Sequence, residues 1–155
     1  YVQYSTTDAL TYSSTTITWS VWQFIGATFS DAGDKKVRLF YGTATTPIAE
    51  TGYSTQTAGV GSILSDSTLD KVIGNTPRGD RTFDGKIAQV LWFNRVLSVN
   101  EMKHIQFGKL ITNGLIGYWP LWGVASPEPD LSGNTNNGTV TGAVLAGHSP
   151  IRGYR

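Results

Sequence analysis

The chain has 155 residues, 12 Lys and Arg against 11 Asp and Glu for a formal charge of +1, and no cysteine. Disulfides, thiolate catalysis and Cys-ligated metals are excluded, and the scattered cations leave no footprint for a nucleic-acid backbone, which needs several clustered ones. Charged residues make up only 15% while Gly, Ser, Thr and Asn abound, so one domain rich in strands and tight turns is expected.

In chain order, residues 2–19 alternate loosely and are dense in Ser and Thr, which predicts one or two exposed strands broken near Asp8. Between residues 19 and 29 the pattern sharpens. Val21, Gln23, Ile25 and Ala27 share one face, and Trp22, Phe24, Gly26 and Thr28 the other, as expected of a strand buried on both sides. Turn formers follow at Ser30-Asp31-Ala32-Gly33-Asp34, and a second strand over residues 36–41 completes a hairpin. Lys35, Lys36 and Arg38, the densest cationic group, read as a solvated strand end.

Residues 42–61, rich in Thr, Ala and Gly and interrupted by Pro47, read as loop and short edge strand. A weak strand is placed at 62–64. A short apolar run at 69–74 leads into the turn series Asn75-Thr76-Pro77-Arg78-Gly79-Asp80. The β-branched and aromatic run over residues 85–94 predicts a strong interior strand. The period then changes: Ser98 and Glu101 have capping-box spacing, and Met102, Ile105 and Gln106 continue at helical intervals, so one short helix is expected near 98–107. Residues 115–121 form the next predicted strand, 127–137 a loop, and 138–145 a last strand before a tail at 146–155. No helical or apolar stretch approaches the ~18 residues of a membrane span.

Several of these segments, taken in order, carry a resemblance. Trp22-Gln23-Phe24-Ile25-Gly26-Ala27-Thr28-Phe29 is followed by Val37-Arg38-Leu39-Phe40-Tyr41-Gly42. Then come Ile73-Gly74-Asn75, Phe83-Asp84-Gly85-Lys86-Ile87-Ala88-Gln89-Val90, Phe93-Asn94-Arg95-Val96-Leu97-Ser98 and Glu101. Gly117-Tyr118-Trp119-Pro120-Leu121 with Asp130-Leu131-Ser132-Gly133-Asn134 adds a further piece. Together they resemble laminin-G-like domains of the concanavalin-A-like lectin/glucanase superfamily, of the kind found in bacterial and bacteriophage surface proteins. The resemblance implies an all-β fold: an antiparallel β-sandwich of jelly-roll type over residues 1–145, with one short helix. It also implies further strands upstream of residues 1–19, so the chain, which starts at Tyr1 rather than Met, is expected to be the later part of a longer jelly roll. The implied setting is extracellular, on a cell surface or on a virion.

Catalysis finds little support. Glycosidases of the superfamily carry an E-x-D-x-x-E array, because an acid and a nucleophile must flank the scissile bond about 5 Å apart. This chain offers only Glu128-Pro129-Asp130, with Gly133 at the third position. There is no G-x-S-x-G elbow for a serine triad, and His104 and His148 fall on the helix and in the tail. Gly59-Val60-Gly61 lacks the rest of any nucleotide fingerprint. No enzyme is therefore expected.

Binding is the alternative. Domains of this type hold calcium at a loop rim with Asp and Asn oxygens, which makes Asp31, Asp34, Asp80 and Asp84 candidate ligands, although Asp equally serves turns. Sugar sites set an aromatic face against a pyranose and fix its hydroxyls with polar side chains. Trp22, Trp92 and Trp119 lie in strand patterns and are read as core, so Tyr53, Trp122 and Asn75 are the candidate ligand contacts. The reading is a non-catalytic carbohydrate-binding or adhesion module, with glycan as partner. The alternative is a structural virion protein, capsid-decorating or fibre-forming, whose partners are neighbouring subunits.

Overall fold

The computed structural model describes residues 1–65, 67–68, 70–76, 78–123 and 126–147. The fold is all-β with one short helix, and every strand pair is antiparallel. The strands are β1 (Leu10–Ser13), β2 (Gln23–Thr28), β3 (Arg38–Thr43), β4 (Ala49–Glu50), β5 (Tyr53–Thr57), β6 (Val90–Phe93) and β7 (Leu115–Trp119), and helix α1 is Val99–Gln106. They form three small sheets: β1-β5, β2-β3-β4 and β6-β7. The residues group into two compact units. The first holds Tyr1–Leu64 and Arg95–Ile111, the second Ser65–Asn94 and Thr112–Pro150.

In the first unit the expected hairpin is present as β2 and β3, with Gly26 opposite Phe40 and Thr28 opposite Arg38. Because strand side chains alternate between faces, Phe24, Gly26, Phe40 and Arg38 share one face. Helix α1 packs there, with Phe40, Ile48 and Met102 buried and Phe24 and Leu97 against them. Each such buried side chain contributes about 1.5–3 kcal/mol of hydrophobic stabilisation. A Cβ on Gly26 would meet the Met102 sulfur at 3.5 Å, an ordinary contact distance, so the layer leaves room for alanine there.

The opposite face of β2 departs from expectation. Ile25 is 61% exposed and Ala27 is exposed, so the strand is not buried on both sides. The reason is its position: β2 ends its sheet, and α1 covers a single face. Nor does it begin at Trp19, because Ser20 adopts a left-handed φ of 59° and turns the chain there. A second cluster, Tyr4, Ala9 and Val37 with Val2, Phe29 and Leu39 against it, completes the core of this unit. The segment over residues 42–61 contains two strands, β4 and β5, the latter paired with β1. At 62–64 there is only an isolated bridge, Tyr4 to Ile63.

The helix forms as the capping box requires. Ser98 Oγ accepts from the Glu101 amide at 3.2 Å, and Glu101 Oε2 accepts from the Ser98 amide at 2.9 Å. Arg95 adds a bidentate pair to the Glu101 carboxylate at 2.6 and 3.1 Å. The guanidinium and the Ser98 donors hold that carboxyl down at about 2. At the other end Gln106, buried, donates to the Thr43 and Thr46 carbonyls at 2.6 and 2.8 Å and accepts from the Ile48 amide at 2.6 Å. The helix thereby closes the β3–β4 turn, and Gly42 is what lets it approach: a Cβ there would lie 2.7 Å from Gln106 Nε2.

In the second unit β6 is shorter than the predicted strand over 85–94. Gln89 takes a φ of 56°, which breaks the pleat just before Val90, although its backbone amide still pairs in register with the Pro120 carbonyl at 3.1 Å. Phe83 and Ile87 are consequently exposed, and so is Trp92, at 46%, which is not core. Trp22 and Trp119 are half-buried. The other edge of β7 is covered by side chains of the loop at 128–138 rather than by a strand. Asp130 Oδ1 accepts from the Tyr118 amide at 2.8 Å, Asn136 Nδ2 donates to the Ile116 carbonyl at 2.8 Å, and the Leu131 amide reaches the Tyr118 carbonyl at 2.8 Å. The predicted strand over 138–145 does not form; only Gly138 makes a bridge, to Glu128. Leu69, Pro77, His148 and residues 149–155 of the expected tail lie outside the described residues.

Candidate functional site

The strand register of the first unit assembles a polar group that no local motif announces. Arg38 and Phe40 project from the same face of β3, and Glu50 of β4 stands directly opposite Phe40, which makes Arg38 and Glu50 diagonal neighbours. The turn between β2 and β3 supplies Asp34 four residues before Arg38. The guanidinium forks onto the Asp34 carboxylate at 2.5 and 3.1 Å, and its Nε lies 3.6 Å from Glu50 Oε1. These three side chains remain about two-fifths exposed, at 40%, 41% and 42%. Screening by water therefore limits what the pairs contribute to stability.

They line an open cleft of about 500 Å³, within the size range of small-ligand sites. Its polar wall is Ser30, Asp34, Arg38, Glu50 and Ser98. The apolar lining is Phe29, Phe40, Val96, Leu97 and Val99, from the hairpin and from the segment that enters α1, with Phe40 beside Arg38 and Glu50 on one sheet face. The pairing fixes protonation: Arg38 holds the Asp34 carboxyl below its usual range, and Asp34 raises the guanidinium in turn. Both are charged at neutral pH.

The predicted ligand contacts are dispersed. Tyr53 is half-buried, and its hydroxyl donates to Glu50 Oε1 at 2.7 Å while accepting from the Leu39 amide at 3.1 Å. Burial first, then the Glu50 contact, pushes its pKa up, so it serves as a neutral prop for a cleft carboxylate. Trp122 is 54% exposed in the second unit. Asn75 closes a loop there, its Oδ1 accepting from the Thr76 and Arg81 amides at 2.8 and 3.0 Å.

The four candidate metal ligands do not assemble a cation site. Asp31 accepts from the Tyr4 hydroxyl and pairs with Lys35 at 3.7 Å, and burial together with Asp31 pushes the Tyr4 hydroxyl up to about 12. Asp34 is held by Arg38, Asp80 accepts from the Thr76 hydroxyl, and Asp84 is exposed. Among the described residues no three carboxylate or imidazole groups converge on one point. Calcium takes six to eight oxygens, backbone carbonyls and waters among them, and the carboxylates of Asp31, Asp34 and Asp80 are each already engaged by a protein donor.

Glu128 and Asp130, the two carboxylates weighed against a glycosidase array, are buried structural acceptors. Glu128 Oε1 takes the Leu121 amide at 2.7 Å. Burial disfavours ionisation of Asp130, yet the amides of Tyr118, Ser132 and Asn136 and the Ser132 hydroxyl overcome it and hold the carboxyl low. His104 is exposed on the last turn of α1.

Arg38 and Glu50 were not singled out by sequence. The signal for Arg38 was the Asp34-to-Arg38 spacing across a turn into a strand, and Glu50 had none, since only the register brings it alongside. No helix among the described residues is long and apolar enough to cross a membrane. No family model, curated protein or solved structure matches the chain.

Proposed function

We propose that the chain is a non-catalytic carbohydrate-binding or adhesion module of a surface-exposed or virion protein, and that the cleft beside α1 is its ligand site. The carrying observation is the mixed lining of an open cleft of about 500 Å³, in which charged groups at Arg38, Asp34 and Glu50 stand among Phe29, Phe40, Val96, Leu97 and Val99. A saccharide ring is mixed in the same way, with hydroxyls at its rim and C–H groups on its faces. The ordered resemblance to laminin-G-like jelly rolls supports the reading, by analogy of fold alone. Catalysis suits the cleft poorly, because a glycosidic acid must keep a raised pKa whereas Arg38 holds Asp34 ionised. The test is a glycan array followed by calorimetric titration of the best hits. Binding that Arg38→Ala removes while the chain stays folded supports the site; an array without hits refutes it.

A second reading, a structural virion piece working through subunit contacts, rests on a different observation. Ile17, Trp19, Val21 and Ile25 are 56%, 84%, 50% and 61% exposed, an apolar run in the first unit around the start of β2. Isolated exposed apolar residues need no explanation, but runs of them mark contact surfaces. Sedimentation should then show self-association at about 100 μM that Trp19→Ser with Ile25→Thr abolishes. A monomer at that concentration speaks against this reading.

A further inference from the structure

We infer that the cleft selects uncharged saccharides and rejects acidic ones such as uronates; the inference rests on the ligand site proposed above. The charge count of the lining carries it. One guanidinium, Arg38, faces two carboxylates, Asp34 and Glu50, so the polar wall is net negative.

The cation is also committed. Asp34 occupies both terminal nitrogens of Arg38, at 2.5 and 3.1 Å, and Glu50 lies 3.6 Å from the third. Arg38 keeps further N–H groups, but a sugar carboxylate that reached them would sit beside both Asp34 and Glu50. Among the described residues Lys36 also lowers the Asp34 carboxyl, but it does not line the cleft. Lys35 leans the other way, 3.7 Å from Asp31 and 5.3 Å above the Tyr4 ring. Arg95 is engaged by Glu101 at 2.6 Å, and at the start of α1 the Ser98 and Glu101 amides are met within the capping box.

Hydroxyls meet no such barrier. The carboxylate oxygens of Asp34 and Glu50 accept hydrogen bonds, and the Ser30 hydroxyl both donates and accepts, whereas the Ser98 proton is already given to Glu101 Oε2. Tyr53 holds Glu50 in place at 2.7 Å, so one acceptor is oriented before any ligand arrives.

The experiment titrates the whole chain by calorimetry with a neutral hexose oligosaccharide, an N-acetylhexosamine oligosaccharide and a uronic acid oligosaccharide of equal length, at low and high salt. A neutral series should bind at least about tenfold more tightly than the uronate at low salt, the size expected of one unbalanced charge a few ångströms away near a protein surface. Raising the salt should narrow that gap. Glu50→Gln, its fold checked by circular dichroism, should narrow it too. Equal or tighter binding of the uronate overturns the selectivity and leaves the ligand site standing. Binding of neither series overturns the ligand site and the selectivity with it.

Discussion

Replacing Gln106 with Leu tests whether one side chain ties the helix to the β3–β4 turn. The amide makes three bonds, at 2.6, 2.6 and 2.8 Å, to Thr43, Ile48 and Thr46. Leu fills nearly the same volume, so little is lost to packing, and the cost falls on polar groups left without partners. The Thr46 carbonyl still accepts from the Thr43 amide at 3.0 Å. The Ile48 amide belongs to a residue that is 0% exposed, and at about 1–3 kcal/mol for an unmet buried group, the total comes to about 2–4 kcal/mol. With a urea slope near 2 kcal/mol per M, the midpoint of this unit should fall by about 1–2 M. Amide exchange at Ile48 should accelerate more than at Phe24, which packs on the same cluster without this bond. Gln106→Glu adds a sign: its carboxylate would face two carbonyls in a buried place, which raises its folded pKa above the unfolded value. The variant should be least damaged below about pH 4 and progressively worse as pH rises. An unchanged urea midpoint together with unchanged Ile48 exchange in the Leu variant would refute the reasoning.

Gly59→Ala would drive a methyl to 2.2 Å from the Tyr4 ring, so a loss of about 1–3 kcal/mol in urea unfolding is expected. Asp130→Asn would aim an amide NH2 at the Ser132 and Asn136 donors that now meet Oδ2; thermal unfolding should show a loss of about 2–3 kcal/mol. The Glu101 carboxyl is lowered from 4.5 to about 2, so its contribution is fully present above pH 4.5 and is lost as pH falls toward 2. In Arg95→Gln the acid limb of the urea midpoint should be shallower across that window, and an identical limb would count against the Arg95–Glu101 pair.

The parts readable from sequence were those built by neighbours in the chain. Ser98 and Glu101 are three residues apart and cap a helix whether or not a sheet lies beneath, and the hairpin of β2 and β3 is written in alternation plus the turn formers at 30–34, within the connection that runs from residue 29 to 37. Burial was harder to read. Ile25 and Trp92 have the character of interior strand residues, but which face receives a cover depends on which elements pack there. Strand ends were missed where single residues, Ser20 and Gln89, take left-handed backbone without being glycine. The cleft was least legible: Glu50 meets Arg38 through the pairing of β3 with β4, which follows from the turn at 43–48 and from Gln106, some 60 residues further along.

The loop that dresses the outer edge of β7 does so with Asp130, Asn134 and Asn136 side chains, which lack the evenly repeated donors and acceptors of a backbone. A template of that kind satisfies the strand beneath it but cannot be copied by the next chain to arrive. Lateral growth into a fibril is thereby disfavoured on that side, where Pro129 in the same loop also offers no backbone donor.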